Sequence, residues 1–300
     1  MPERQVVYKI IKRTVLIFLI GYLMYWFPFM DYNANGNAVL RPISQTRILG
    51  VLQRIALCYG IVALLVYYTN WRTMVITSVV ILIGYWIVLA GYGNLDSKFL
   101  NLQSVVDKAV LTPDHMYRLG KEGYDACGIL GTFPAVVSTI AGYLCVRFLN
   151  SMNKGYEVLA KIAMAGFVCL AIAYWWNLVF PYNKKLWTSS YTMLTIGINS
   201  FLFVCLIYIV DFLKYKKWGN VFEVFGKNPL FIYVFSACFP VLINLIPTGS
   251  DKRAWSYVYD GFAGLFGDGL PASFLYCISF MIFCWFVAYV LDRQRIYIKI

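Results

Sequence analysis

The run Thr73-Met-Val-Ile-Thr-Ser-Val-Val-Ile-Leu-Ile-Gly-Tyr-Trp-Ile-Val-Leu-Ala-Gly91 contains no Asp, Glu, Lys, Arg or His. At 1.5 Å per residue, a helix over 73–91 reaches close to the ~30 Å of a bilayer's hydrocarbon core. Comparable apolar blocks occupy 14–30, 50–69, 129–149, 160–178, 191–213, 229–247 and 272–291, making eight in all. The whole chain is 61% hydrophobic and 13% charged, with mean hydropathy +0.67. A soluble domain carries about 25% charged residues. Lipid offers no partner to backbone N–H and C=O groups, so such blocks must be helices. The expected fold class is all-α: a polytopic transmembrane helical bundle of about eight spans, forming one integral-membrane domain over 1–300.

The formal net charge is +12, which would suit nucleic acid if the charge were clustered. Its distribution instead follows the membrane. With the N-terminus inside, one face holds Arg4, Lys9, Lys12, Arg13, Arg72, Arg147, Lys154, Lys161, Lys214, Lys216, Lys217, Lys227, Arg293, Arg295 and Lys299. That is 15 of the 26 basic residues, against 5 of the 14 acids (Glu3, Glu157, Asp211, Glu223 and Asp292). Lys and Arg hold loops on the untranslocated side during insertion. Both termini are therefore expected in the cytoplasm, with the long connections 31–49, 92–128, 179–190 and 248–271 outside. No nucleic-acid partner is expected, and the lipid bilayer is.

The basic start followed by Thr14–Trp26 has the shape of a signal peptide, but Phe27-Pro28-Phe29-Met30 offers no small-residue cleavage site, so a retained span is expected. Seven of the eight cysteines (Cys58, Cys145, Cys169, Cys205, Cys238, Cys277 and Cys284) fall in apolar blocks, and Cys127 lies at an outer edge. There is no CxxC or Cys/His spacing, so neither a disulfide framework nor a metal is implied. The absence of any Asn-x-Ser/Thr sequon favours a bacterial inner (cytoplasmic) membrane over a glycosylated lumen.

Function collects on long loops carried by a rigid scaffold. The 92–128 loop contains the chain's single histidine, His115, in Asp107-Lys-Ala-Val-Leu-Thr-Pro-Asp114-His115-Met-Tyr117. Histidine takes and returns protons near neutrality, although a lone loop histidine is often only solvated. Gln53 and Arg54 sit about one turn inside the second block. A charge there either faces a cavity or partner, or snorkels to the headgroups. The 179–190 loop offers Lys184 and Lys185 beside a Pro-Asn turn. Phe225-Gly-Lys227-Asn228-Pro229 marks a cytoplasmic helix start, where a basic residue and a helix N-terminus could meet a phosphate.

Five segments together resemble the heparan-α-glucosaminide N-acetyltransferase family and its bacterial relatives. They are Gly50–Tyr59, Asp107-x7-His115-x-Tyr117, Asp125-x-x-Gly128-x-Leu130-x-Thr132, Asn183-Lys-x-Leu-Trp187-Thr-Ser-Ser190 and Gly226-x-Asn228-Pro-Leu. The resemblance runs through essentially all of the chain. It implies transfer of an acetyl group from cytosolic acetyl-CoA, a co-substrate, to an amino sugar on the far side of the membrane, with His115 as the essential histidine. Asn101, six residues before Asp107, is similar to an Asn that precedes this aspartate in bacterial relatives. Members often show Asp-Pro-Glu-Gly where this chain has Asp125-Ala-Cys127-Gly128, so position 127 supplies no carboxylate. Relatives also begin with further spans bearing Asp-x-x-Arg-Gly, which implies that this chain is a truncated frame or a shortened member.

The leading expectation is a membrane-bound acyl-CoA-dependent N-acetyltransferase. His115 would be general base or acyl carrier. Asp107 or Asp114 would orient its imidazole, and Asn101 would hold the substrate or the thioester oxygen. Arg54, Gln53, Asp125, Lys184, Lys185 and Trp187 are the substrate-binding candidates, and Lys227 and Asn228 the candidates for acetyl-CoA. The rival readings are a sugar or small-molecule transporter or flippase, and a non-catalytic membrane subunit. Ion-coupled transporters place acids or histidines mid-span, and here Arg54 is the one charge clearly inside a block. A glycan substrate is expected as partner, and a homo-oligomer is left open.

Overall fold

The computed structural model describes residues 3–32, 38–119, 122–151, 155–248 and 252–298. Two compact units can be distinguished in the chain. The first comprises Met1–Tyr22 with Pro42–Lys214, and the second Leu23–Arg41 with Tyr215–Ile300.

The first unit contains most of α1 (Glu3–Trp26), then α2 (Val51–Tyr68), α3 (Trp71–Tyr92), the short α4 (Leu102–Leu111), α5 (Ile129–Ser151), α6 (Tyr156–Asn177) and α7 (Ser189–Ile207). A five-residue π-type turn carries α7 on to Phe212. Asn70 starts α3, its side chain accepting from Thr73 N at 3.0 Å. The long helices turn apolar side chains outward: Ile76, Val80 and Ile87 of α3 are all more than half exposed. A face of that kind suits lipid. Helices α6 and α7 approach closely through two glycines. A methyl on Gly166 would meet Ser200 Cβ at 2.9 Å, and one on Gly197 would meet Leu170 at 2.6 Å. Small residues let backbones close in where lipid supplies no hydrophobic drive.

The second unit carries a small hairpin of β1 (Met30–Tyr32) and β2 (Ala38–Leu40), then α8 (Asn220–Lys227), α9 (Pro229–Ile243), α10 (Ser256–Phe266) and α11 (Leu270–Arg293). Its core joins Val224 and Ile232 to Cys284 and Ala288, with phenylalanines around them.

Among the described residues, six helices are long and apolar enough to cross a membrane: α2, α3, α5, α6, α7 with its extension, and α11. The segment Lys217–Lys227 with α9, bent by 73°, would make a seventh. The protein is thus an all-helical membrane protein apart from two short hairpins, but the expected eight blocks do not all become spans of that kind. In α1 the charge-free part is only Thr14–Trp26, about 20 Å of helix. The 229–247 block yields a 15-residue helix ending at Ile243.

Candidate active site

The alternating helices of the first unit bring the starts of α2, α5 and α7 to one end, with α4 packed there against α5 and α3. Asn101 creates α4: its Oδ1 accepts from Ser104 N at 2.9 Å, and its Nδ2 donates to Ser97 O at 2.7 Å. This is an N-cap that satisfies an otherwise orphaned helix donor. Both faces of the Asn101 amide are therefore committed to backbone, and its part is to position α4. The buried face of α4 presents Gln103, Ser104, Asp107 and Leu111, the spacing of one helical stripe, but three of the four are polar.

Asp107 is fully buried, and its Oδ1 accepts from Ile129 N at 2.8 Å, capping the start of α5. Its Oδ2 has no hydrogen-bond partner. Gly128 makes this approach possible, since a methyl there would overlap Oδ2. Burial pushes the carboxyl up to about 6, with the Ile129 hydrogen bond pulling the other way. Gln103 donates to Asp125 O at 3.2 Å and to Lys185 O at 3.4 Å, tying the 125–128 turn to the 183–187 loop. Tyr85 of α3 reaches the same loop, donating to Leu186 O at 2.5 Å.

Arg54 does not snorkel. Its guanidinium donates to Gly128 O at 3.2 Å and lies 5.2 Å from the Trp187 ring centroid, a cation–π contact. Gly131 leaves room for it, because a methyl there would come within 3.0 Å of an Arg54 nitrogen and 2.6 Å of Gln103 Oε1. Gln53 points elsewhere: it packs against Gly21 of α1, and neither of its amide atoms is hydrogen-bonded. Asp125 is held by Arg47 in a two-pronged ion pair, with Nε to Oδ2 at 2.8 Å and Nη2 to Oδ1 at 2.6 Å. Its Oδ1 also accepts from Cys127 N, so Asp125 builds the turn. The Asn183–Ser190 motif is likewise a loop-former. Asn183 Oδ1 accepts from the N–H groups of Lys185 and Leu186. Ser189 and Ser190 donate to Leu82 O and Phe180 O. The motif leaves Lys184 and Lys185 exposed and turns Trp187 toward Arg54.

His115 ends a 3₁₀ turn, Pro113–His115, that precedes the hairpin β3 (Tyr117–Leu119) and β4 (Glu122–Tyr124). Two hydrogen bonds dock it on the segment before α2. Ile48 N donates to His115 O at 3.0 Å, and His115 Nδ1 lies 2.8 Å from Thr46 O. A carbonyl oxygen can only accept, so Nδ1 carries a proton, and in the neutral ring the lone pair is on Nε2. The orienting group is thus the Thr46 carbonyl. Asp107, expected in that place, caps α5, and Asp114 is an exposed neighbour on the same turn. Arg47, next to Thr46, joins this docking segment to Asp125 and the α5 turn.

In the second unit, Lys227 pairs with Asp292 at 3.0 Å and Glu223 at 3.4 Å. The buried Asn228 donates to Ile296 O and accepts from Ile298 N. Of these two residues expected at a cofactor phosphate, Lys227 ties the end of α8 to the last turn of α11, and Asn228 clasps the chain that follows α11. Among the described residues no group of acids, cysteines and histidine could hold a metal ion. Sequence reasoning missed Arg47, Thr46, Gln103 and Tyr85. Each pairs with a group far away in the chain or with a backbone atom, and neither kind of partner leaves a local signal.

No family model matches the chain. A curated relative does: heparan-α-glucosaminide N-acetyltransferase of Homo sapiens is 25% identical over 352 aligned residues, covering 97% of this chain and 49% of that protein. The chain spans about half the length of the curated relative it matches. That coverage, with an all-helical apolar architecture, makes the chain a distant relative of the heparan-α-glucosaminide N-acetyltransferases.

Proposed function

We propose that the chain is a membrane-bound acyl-CoA-dependent N-acetyltransferase, moving an acetyl group from cytosolic acetyl-CoA to an amino sugar on the outer face. The observation that carries this reading is the tautomer of His115: Thr46 O holds the Nδ1 proton and leaves the Nε2 lone pair for chemistry. The lone pair takes the proton of the sugar amine as its nitrogen attacks the thioester carbonyl carbon. The C–S bond breaks, and the departing thiolate recovers the proton from the imidazolium. In a second route the same lone pair attacks the thioester carbonyl and expels the CoA thiolate, giving an acetyl-imidazole; the amine then attacks that carbonyl, the ring nitrogen leaves, and the amine's proton passes to the freed Nε2. In both routes Arg54, Asp107 and Gln103 fix the helix ends on which the His115 turn is built.

Membranes carrying the full chain, supplied with labelled acetyl-CoA and a panel of amino sugars, test this reading. His115→Ala should lower transfer ~10²–10⁴-fold, with the unfolding temperature falling only by what the loss of one hydrogen bond, about 1 kcal/mol, accounts for. The wild-type rate should fall on acidification, since protonated imidazole has no lone pair. His115→Gln with near-normal activity would sink the assignment. Label retained on the protein without acceptor, and lost in His115→Ala, identifies the acetyl-imidazole route. For orientation, an impermeant thiol reagent on intact cells should label a cysteine placed at the exposed Asp96 but not one at Tyr215. The opposite pattern reverses the proposed sidedness.

A further inference from the structure

We propose that the segment Lys216–Lys227 holds an anionic phospholipid, with its headgroup on Lys216 and Lys217 and an acyl chain in the groove between α8 and α11. The site lies wholly in the second unit. It uses none of the residues proposed to carry acetyl transfer and does not depend on that reading.

A 3₁₀ turn, Lys217–Gly219, runs directly into α8. Trp218, Val221, Phe222 and Phe225 recur at i, i+3, i+4 and i+7, an apolar stripe on one face. Asn220, Glu223 and Lys227 share the other face. A helix in water would bury such a stripe. Here Val224, beside it, enters the core of the unit, while Trp218, Val221 and Phe222 stay 42%, 49% and 64% exposed. The apolar α9 continues the segment after a bend of 73°. With α9 set across a bilayer, residues 217–227 lie near the membrane plane. An amphipathic helix in that position sinks its apolar face to the boundary of headgroups and acyl chains.

Any lipid meets exposed apolar side chains at that depth, but two further observations select one kind. The first is a groove of about 240 Å³ lined by Val221 and Phe225 of α8 with Met281, Ile282 and Trp285 of α11. The indole N–H of Trp285 is already spent on Val221 O at 3.1 Å, so the groove offers an incoming group apolar contact alone. The second is charge. Lys216 and Lys217 are exposed, and among the described residues neither ammonium has an ion pair or hydrogen bond. Lys217 stands one turn before Val221 on the same side of the helix. The far end of α8 differs, because Lys227 is paired with Asp292 and Glu223. Lysines alone would be the ordinary excess of a cytoplasmic connection, and aromatics alone an interfacial belt. Free cations and an apolar slot on adjacent turns match both halves of a single amphiphile. Its phosphate accepts from the ammonium groups and its hydrocarbon fills the groove. A zwitterionic lipid fills the groove as well but sets its own cation against the lysines, and free phosphate has nothing to place in the groove.

The test is photolabelling of the full chain in phosphatidylcholine vesicles. These are doped with phosphatidylglycerol, or with phosphatidylcholine, bearing a diazirine near the acyl terminus, and labelled peptides are quantified by mass spectrometry. The peptide containing Met281–Trp285 should take at least about fivefold more label from the phosphatidylglycerol probe, the factor that one lysine contributes near an anionic lipid surface. The gap should shrink as salt rises. Lys216→Gln combined with Lys217→Gln should close it without lowering the unfolding temperature, because neither side chain has a protein partner. Ile282→Trp, which fills the groove, should lower labelling of that peptide by both probes. His115→Ala should change neither. Equal labelling by the two probes leaves the groove to bulk lipid and overturns the proposal. A preference that survives the double lysine variant places the headgroup elsewhere and overturns it too. Labelling undiminished in Ile282→Trp removes the acyl seat. A peptide unlabelled by either probe shows that protein covers this face, which also sinks the lipid.

Discussion

The two units bury very different things. Of the fourteen buried polar or charged side chains among the described residues, thirteen lie in the first unit, and the second has only Asn228. The first unit gathers Arg54, Gln103, Asp107, Asp125 and their partners at one end, where a missing bond leaves a charge or amide without water. The second unit packs phenylalanines between α9 and α11 and keeps its ion pairs at the surface. Buried polar groups are expensive unless satisfied. A chain that concentrates them at one end is holding that end in a single geometry, and the histidine turn is attached there.

The contrast breaks if the same kind of substitution has equal effects in both units. The largest expected effect is that of Arg47→Ala, which strands the Asp125 carboxylate, itself 0% exposed. Removing one partner of a buried pair costs ~3–5 kcal/mol, visible as a lowered unfolding temperature in detergent. Next comes Gly128→Ala, where the new methyl collides with Asp107 Oδ2. Overpacking of this kind costs ~1–3 kcal/mol. Gly226→Ala in the second unit meets nothing within 4 Å and should be silent on the same assay.

A smaller effect, with a pH signature, is expected from Asp107→Asn. The folded carboxyl, at about 6, lies above its unfolded value of ~3.9. Its favourable contribution is full below that unfolded value and is lost as pH rises through 6. Unfolding temperatures from pH 4 to 7.5 should decline in the wild type. They should decline less in Asp107→Asn, whose Oδ1 can still cap Ile129. Parallel curves would show that the carboxyl does not titrate there. The smallest expected effect is that of Lys227→Ala. Its partners Glu223 and Asp292 keep contact with solvent, so the unfolding temperature should hardly move. A loss as large as that of Arg47→Ala would erase the distinction between the units.

The helical membrane fold was legible because charge-free runs such as 73–91 admit one structure in lipid. The span count was not, because a block scan cannot tell that Lys9, Lys12 and Arg13 occupy the same helix as Thr14–Trp26. Nor can it see that α9 ends at Ile243, only 15 residues long. At the site, Arg54, Asp107 and Trp187 stood out as polar or aromatic residues in motifs, and the structure does bring them into one cluster with Gly128. Their roles were hidden. Asp125 looked available until Arg47, 78 residues away, was seen to hold it. Gln103 gave no sign at all, being one amide in a long loop.

The bond between His115 Nδ1 and Thr46 O has a genetic consequence. Where a carboxylate side chain orients a histidine, one codon change can delete the orienting atom. Here that atom belongs to the main chain, and every replacement of Thr46 still carries it. The imidazole's alignment is thus shielded from direct point mutation at its partner. It can be lost only by shifting the 43–48 segment itself, so damaging alleles that misorient the histidine should map to the residues that dock this segment, Arg47 and Ile48, and not to Thr46.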